Sequence, residues 1–140
     1  IAGIHFEGPY LNSARKGVHN AAHIRELEDQ FIALAGAGDL GTVVVTLAPE
    51  KTQTARIERL VDAGVIVSAG HSMASYEEMT AAIDAGLSGV THLYNAMPPM
   101  ESRAPGLIGA AFNSRECYCG FINDRCDGHR RHGEDRIPPR

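Results

Sequence analysis

A run of six β-branched or apolar residues, Thr-Val-Val-Val-Thr-Leu at positions 42–47, is the feature that most constrains the fold. Such a run is typical of a strand that is buried on both faces of a parallel sheet. Shorter apolar runs at residues 2–6, 65–69, 90–93 and 117–122 predict four further strands. The chain is therefore expected to fold as an α/β protein around a parallel sheet.

Helical patterns alternate with these strands. Apolar residues recur at helical spacing over residues 22–35 and again over residues 52–63. Ser75 is expected to begin a third helix, because Glu78 stands at the spacing of a capping box. Alternation of strands and helices favours helical crossovers between parallel strands, so functional side chains are expected at the carboxyl ends of the strands.

Composition excludes several classes of protein. The 140 residues carry 13 basic and 17 acidic side chains, a formal net charge of −4, which argues against a general nucleic-acid binder. No apolar run reaches the ~18 residues of a membrane span. Three cysteines without a secretory signal make a disulfide scaffold an unfavoured interpretation. We therefore expect a cytoplasmic protein of about one domain's length, without nucleic-acid or membrane partners.

Glu7, His71 and His92 are the strongest candidates for chemistry. Each lies at or just after the end of a predicted strand, so neighbouring strands would direct all three side chains to one edge of the sheet. One carboxylate and two neutral imidazoles with an open fourth position form a catalytic zinc arrangement. For each histidine alone, a hydrogen-bonded residue at a strand end is the more ordinary interpretation, whereas three equivalent positions favour a metal.

Several other polar residues stand in predicted loops. His19 lies in the long segment after the first strand and could orient a substrate group, and Asn95 offers a polar amide in a later loop. Arg103 could bind a phosphate or a carboxylate. Its spacing from the other candidate residues, taken alone, favours an ordinary solvated arginine. His5 shares a strand face with Glu7, which makes it a candidate to support the metal ligands.

Six blocks of sequence together resemble one known family. In order and spacing, over roughly residues 1–124, they resemble the N-acetylglucosamine-6-phosphate deacetylases of the amidohydrolase superfamily. The blocks are Gly-Ile-His-Phe-Glu-Gly-Pro-Tyr-Leu-Asn at 3–12, Arg-Lys-Gly-Val-His at 15–19, Thr-Leu-Ala-Pro-Glu at 46–50, Ser-Ala-Gly-His-Ser at 68–72, Thr-His-Leu-Tyr-Asn-Ala-Met at 91–97 and Arg-Ala-Pro-Gly at 103–106.

The resemblance implies a fold and a reaction. The fold would be the central portion of a metal-dependent (β/α)₈ TIM barrel. The reaction would be hydrolysis of the acetamide of N-acetylglucosamine 6-phosphate to glucosamine 6-phosphate and acetate. Glu7, His71 and His92 match the family's ligands to a divalent metal, for which zinc is expected and iron or another divalent ion is the alternative. The full-length enzyme would be a homodimer or homotetramer.

The resemblance also implies how the substrate is held. Asn95, Ala96 and the backbone of Val18 match substrate-binding positions. His19 matches a substrate-binding histidine that helps to polarise the acetyl carbonyl. Arg103 matches an arginine that binds the phosphate, which in such enzymes can serve a neighbouring subunit.

The resemblance stops abruptly after Asp124. The family continues there with Asp-Gly-x-His, whereas Asp127 stands at the histidine position of this chain. We therefore expect residues 1–124 to be a barrel segment and residues 125–140 to be a divergent tail, disordered or read in a shifted frame. No residue matches the family's catalytic aspartate, and its small β domain and first barrel strand have no counterpart. The chain is expected to be a middle piece of about one third of the family's length, inactive alone.

Two other interpretations remain open at this point. One is a non-catalytic α/β module that binds a metal or a sugar phosphate. The other is a self-contained flavodoxin-like domain that completes its own sheet of five strands. Metal analysis separates the metal-binding interpretations from the flavodoxin-like one, and an acetate-release assay separates the enzyme from the binding module.

Overall fold

Five parallel strands form one sheet in the order β1-β2-β3-β4-β5. This computed structural model describes residues 2–123, so Asp124 and the predicted tail at 125–140 lie outside the described residues. The division of the chain at residue 124 therefore stays a prediction. The strands are β1 (Gly3–Glu7), β2 (Thr42–Leu47), β3 (Ile66–Ala69), β4 (Gly89–Val90) and β5 (Tyr118–Cys119).

Helices fill the crossovers between these strands. The helices are α1 (Asp29–Ala35), α2 (Thr54–Asp62), α3 (Tyr76–Asp84) and α4 (Gly106–Asn113), and short 3₁₀ turns occupy Ser13–Arg15, Ala21–His23 and Pro49–Lys51. Within residues 2–123, no helix is long and apolar enough to cross a membrane.

The order of the strands decides between two of the architectures considered above. A flavodoxin-like sheet has the order 2-1-3-4-5, whereas here every strand pairs with its neighbour in sequence. Sequential parallel strands with helical crossovers are the arrangement of a (β/α)₈ barrel. The predicted partial barrel is therefore confirmed, and the flavodoxin-like alternative is wrong.

Alternate residues of each strand face opposite sides of the sheet. Val43, Val45 and Leu47 of β2 are buried in the apolar core, which the helices share. On the other side the sheet is concave and borders a cavity of about 610 Å³, lined by Val44 and Ile66 among others. The metal candidates stand at one end of this concave side.

Most predicted strands and helices are confirmed, with shifted ends. Strand β2 has the predicted bounds, and α3 begins with the predicted capping box, in which Ser75 accepts from the Glu78 amide and Glu78 accepts from the Ser75 amide. Strand β4 ends at Val90 instead of residue 93, because the chain turns there to present His92. Strand β5 is likewise shorter than predicted.

The helix predicted over residues 22–35 is wrong in its first half. Only Asp29–Ala35 is α-helical, and it is preceded by the 3₁₀ turn Ala21–His23 and an irregular segment. The Arg56 guanidinium donates a hydrogen bond to the Leu27 carbonyl, while the Leu27 side chain is buried in the core. Because tertiary contacts hold Leu27, the apolar spacing there does not make a helix.

Candidate metal centre

Three ligand atoms meet at the carboxyl ends of β1, β3 and β4. Glu7 Oε1 lies 3.0 Å from His71 Nε2 and 2.9 Å from His92 Nε2, and the two imidazole nitrogens lie 3.0 Å apart. We call these three residues the ligand triangle. The structure thus brings together all three metal ligands that the resemblance implies.

The backbone delivers these side chains by leaving the sheet sharply. Glu7 is the last residue of β1, whereas His71 and His92 each stand two residues beyond the end of a strand. His71 has φ 49° and His92 has φ 39°, in the left-handed region that residues other than glycine rarely occupy. Such a conformation costs on the order of 1–3 kcal/mol and persists only where the surroundings impose it.

The ring of His71 has a defined tautomer. Its Nδ1 lies 2.8 Å from the backbone carbonyl oxygen of Arg15, which can only accept a hydrogen bond. Nδ1 therefore carries the proton, and the Nε2 lone pair faces Glu7 and His92. Metal-binding histidines commonly have this second hydrogen bond to a carbonyl. His71 is also buried, at 6% exposure.

The charge on Glu7 suits the same purpose. Burial raises the pKa of this carboxyl group, but the polar rings of His71 and His92 beside it lower its pKa by more, so that the pKa of Glu7 lies below its usual value. Glu7 is thus a carboxylate at neutral pH. A carboxylate oxygen and two imidazole nitrogens are ligands for a divalent cation.

The spacing of the ligand triangle fits a single ion. Ligand atoms about 2.1 Å from one ion, at angles of about 90–109°, stand about 3.0–3.4 Å apart. The observed separations of 2.9–3.0 Å lie at or just below the lower limit of this range. The residues present therefore fit a divalent metal. Within residues 2–123, His92 Nδ1 is buried without a hydrogen-bond partner, so only His71 has a second anchor here.

His19 lies beside the ligand triangle. Its ring meets the ring of His71 edge to face, with 4.7 Å between centroids. Glu7, His19 and His71 can each offer a ligand atom within 4.8 Å of the others, so they form a second possible metal group. The trio with His92 has the shorter separations, so we take it as the ligand set and place His19 at its rim.

The loop that carries His19 packs directly on His71. Gly17 has φ 54°, and a Cβ atom added there would lie 3.2 Å from His71 Cε1. The His19 amide donates to the Lys16 carbonyl at 3.0 Å, which closes the turn. The turn thus places His19 over the ligand triangle.

A chain of hydroxyl groups lies beside the ligand triangle on the concave face. His5 Nε2 lies 2.7 Å from Thr46 Oγ1, Thr46 Oγ1 lies 2.7 Å from Thr91 Oγ1, and Thr91 Oγ1 lies 2.9 Å from Ser68 Oγ. His5, which was expected to support a metal ligand, bonds to this chain instead. Sequence reasoning missed the chain, although its signal was present as polar residues at inward-facing positions of strands.

The residues expected to bind the substrate differ in whether they are hydrogen-bonded to the loops of the metal ligands. Val18 is fully exposed beside His19. The Asn95 amide donates to the His92 carbonyl at 2.9 Å, and the carbonyl of Ala96 accepts from the amide of Ser72 at 3.1 Å, so both are tied to the loops of the metal ligands. Arg103 is exposed in the loop before α4. Within residues 2–123, the hydrogen bonds and ion pairs of the ligand triangle do not include Arg103.

Fold and site together define a class: a section of a (β/α) barrel with a candidate metal centre at the carboxyl ends of its strands. No family model matches the chain. Curated relatives include an N-acetylgalactosamine-6-phosphate deacetylase of Shewanella sp. (strain ANA-3), 50% identical over 124 residues, and an N-acetylglucosamine-6-phosphate deacetylase of Haemophilus influenzae, 42% identical over 137 residues. These alignments cover 89% and 96% of this chain but only 32% and 35% of the relatives.

Solved structures agree with the sequence relatives. N-acetylglucosamine-6-phosphate deacetylases from Pasteurella multocida and Mycobacterium smegmatis superpose with TM-scores of 0.83 and 0.84 at 40% and 38% identity. They are covered over 34% and 37% of their length, against 91% and 92% of this chain. The chain thus spans about one third of the proteins it matches. The resemblance to the N-acetylglucosamine-6-phosphate deacetylases is confirmed, as that of a partial chain.

Proposed function

We propose that this chain forms the metal-binding part of an enzyme that hydrolyses the acetamide of N-acetylglucosamine 6-phosphate, giving glucosamine 6-phosphate and acetate. The observation that carries the proposal is the convergence of Glu7, His71 and His92 on one point. One carboxylate and two imidazoles are a ligand set typical of a divalent-metal site, and the relatives are named for deacetylation of amino-sugar phosphates.

Zinc is the metal we propose, with iron or another divalent ion as the alternative. Neutral imidazole and carboxylate ligands suit zinc, and three protein ligands leave a position open. A divalent metal at this site would polarise the amide carbonyl and lower the pKa of water. Glu7, His71 and His92 would hold it.

The remaining residues would orient the substrate. His19, at the rim of the ligand triangle, would hydrogen-bond the acetyl oxygen and stabilise the negative charge that develops there. Asn95, Ala96 and the backbone of Val18 would hold the sugar. The reaction adds water to the carbonyl carbon, breaks the C–N bond and requires a proton at the leaving nitrogen. In the family that this chain resembles, an aspartate outside the matched blocks moves that proton.

Arg103 would bind the phosphate of the substrate. Its exposure in the loop before α4 suits an arginine that serves the site of a neighbouring subunit. A homodimer or homotetramer in the cytoplasm belongs to the same proposal. Because the Shewanella relative is named for the galactosamine epimer, N-acetylgalactosamine 6-phosphate is the second substrate to assay.

A chimeric enzyme tests this proposal. Residues 1–123 of this chain would replace the matching third of the Haemophilus influenzae relative, and acetate release would be measured with both sugar phosphates and with unphosphorylated N-acetylglucosamine. We expect hydrolysis of a phosphorylated sugar by the chimera and loss of it on Glu7→Gln. The 140-residue chain alone should show negligible turnover, because a missing proton-transfer group costs about 10²–10⁴-fold in rate.

A control variant and the contradicting outcomes complete this test. His23→Ala, at an exposed histidine of the 3₁₀ turn Ala21–His23, should leave the chimera active. A folded chimera that retains its metal but releases no acetate from either epimer contradicts the proposal. Binding of the sugar phosphate without turnover in that chimera would instead support the non-catalytic binding module.

A further inference from the structure

The carboxylate of Glu50 joins three of the loops at the metal end of the sheet. Glu50 lies in the 3₁₀ turn Pro49–Lys51, directly after β2. Its Oε1 accepts from Asn12 Nδ2 at 2.8 Å and from the Met73 amide at 2.6 Å, and its Oε2 accepts from Ser72 Oγ at 2.6 Å. One side chain thus links the segments that follow β1, β2 and β3.

Two of these hydrogen bonds act on the backbone of His71. Ser72 and Met73 follow His71 directly, so the carboxylate holds the chain immediately after the left-handed turn at His71. The third partner, Asn12, donates its own amide to the His71 carbonyl at 2.9 Å. The peptide that follows His71 is therefore held by groups that Glu50 binds, at the point where the chain leaves its left-handed turn.

A second path leads from Glu50 to the ring of His71. Asn12 Nδ2 donates to Glu50, and this bond directs the other side-chain atom, Asn12 Oδ1, towards Ala14. Asn12 Oδ1 accepts a hydrogen bond from the Ala14 backbone amide at 2.9 Å. That bond begins the 3₁₀ turn Ser13–Arg15. The carbonyl of Arg15, the last residue of this turn, accepts from His71 Nδ1 and fixes the tautomer of the ring.

We propose that Glu50 is a positioning residue, which sets the backbone and the ring of His71 for metal binding without touching the metal. The inference rests on the metal centre of the proposed function. Partners that orient a metal ligand typically change metal affinity by about 10–100-fold when removed. Glu50 acts one step further out, through Asn12, Arg15 and Ser72, and it acts on the peptide as well as on the ring.

Metal affinity of the full 140-residue chain tests this role. Zinc dissociation constants would be measured by competition with a chromophoric chelator, and the visible absorption of the cobalt(II) form would report ligand geometry. Glu50→Ala should weaken zinc binding about 10–100-fold and alter the cobalt spectrum. Glu50→Gln keeps an acceptor for Asn12 and Met73, so it should recover part of the affinity. Glu58→Ala, at an exposed glutamate of α2, should change neither.

The outcomes separate this role from the metal centre itself. Zinc affinity within twofold of the unsubstituted chain in folded Glu50→Ala, with an unchanged cobalt spectrum, would overturn the positioning role alone. If Glu50→Ala does not fold, Glu50→Asp takes its place, since its shorter side chain cannot keep all three hydrogen bonds, and the same result in that variant overturns the role. An unsubstituted chain that binds no more zinc than its His71→Ala variant would overturn the metal centre, and with it this role.

Discussion

The Nε2 atoms of His71 and His92 lie 3.0 Å apart, and both face the same carboxylate oxygen of Glu7. The His71 nitrogen is a lone-pair acceptor, because its other ring nitrogen donates to the Arg15 carbonyl. A lone pair and a carboxylate oxygen at this distance repel unless a proton or a cation lies between them. A divalent ion would satisfy all three groups at once, so occupancy of the site should be linked to stability.

Zinc should therefore stabilise the chain, and His92→Ala should remove that stabilisation. At a zinc concentration 100 times the dissociation constant, binding raises the free energy of unfolding by about 2.7 kcal/mol. Loss of one ligand that weakens binding about 100-fold leaves about 0.4 kcal/mol at the same concentration. Urea unfolding with and without zinc measures the difference.

His23→Ala provides the matched control, since it also removes an imidazole, but from an exposed turn. It should keep the full zinc-dependent increase in the free energy of unfolding. An equal increase in His92→Ala and His23→Ala would mean that His92 is not a ligand.

Gly70 should not tolerate a side chain. A Cβ atom there would lie 2.6 Å from Thr46 Cγ2 and 3.8 Å from the ring of His92. Gly70→Ala should therefore destabilise the chain by about 1–3 kcal/mol through overpacking, and it should also weaken zinc binding. Urea unfolding and a zinc titration measure the two effects.

Gly120→Ala is the corresponding control, because its nearest contact is an ordinary 3.4 Å from the Val90 carbonyl oxygen. This variant should lose less stability than Gly70→Ala. Similar losses at the two glycines would contradict the packing argument.

Local chemistry explains which elements could be predicted from the sequence. The β-branched run of β2 has few other possible conformations, and the capping box at Ser75 marks a helix start by two specific hydrogen bonds. The positions of Glu7, His71 and His92 at strand ends also predicted the ligand triangle, because parallel strands direct their carboxyl ends to one edge of a sheet. One carboxylate and two imidazoles at equivalent positions already favoured a metal, and the resemblance assigned the same residues to it.

Long-range contacts explain what could not be predicted. The irregular segment around Leu27 is held by Arg56, which is 29 residues away in sequence. Helix α4 contains two glycines that weaken its helical signal, and it packs on α3 in the fold. Glu50 was visible only as a polar residue after a strand, since its partners come from two other loops.

Ser75→Ala should weaken the start of α3. Ser75 Oγ accepts from the Glu78 amide at 3.1 Å, and Glu78 Oε2 accepts from the Ser75 amide at 2.8 Å. Loss of such a cap costs about 0.5–2 kcal/mol. Urea unfolding should show this loss for Ser75→Ala but little for Ser75→Asp, whose carboxylate can accept the same bond. Equal losses in the two variants would argue against a capping role.

His19→Ala should separate metal binding from turnover. His19 stands at the rim of the ligand triangle, within 4.8 Å of atoms of Glu7 and His71. If it polarises the acetyl carbonyl, its removal should lower kcat of the chimeric enzyme by about 10²–10³-fold. Zinc affinity of the 140-residue chain should change by only a few fold, in contrast to His92→Ala. A large loss of zinc affinity in His19→Ala would instead make His19 a metal ligand and contradict its assigned role.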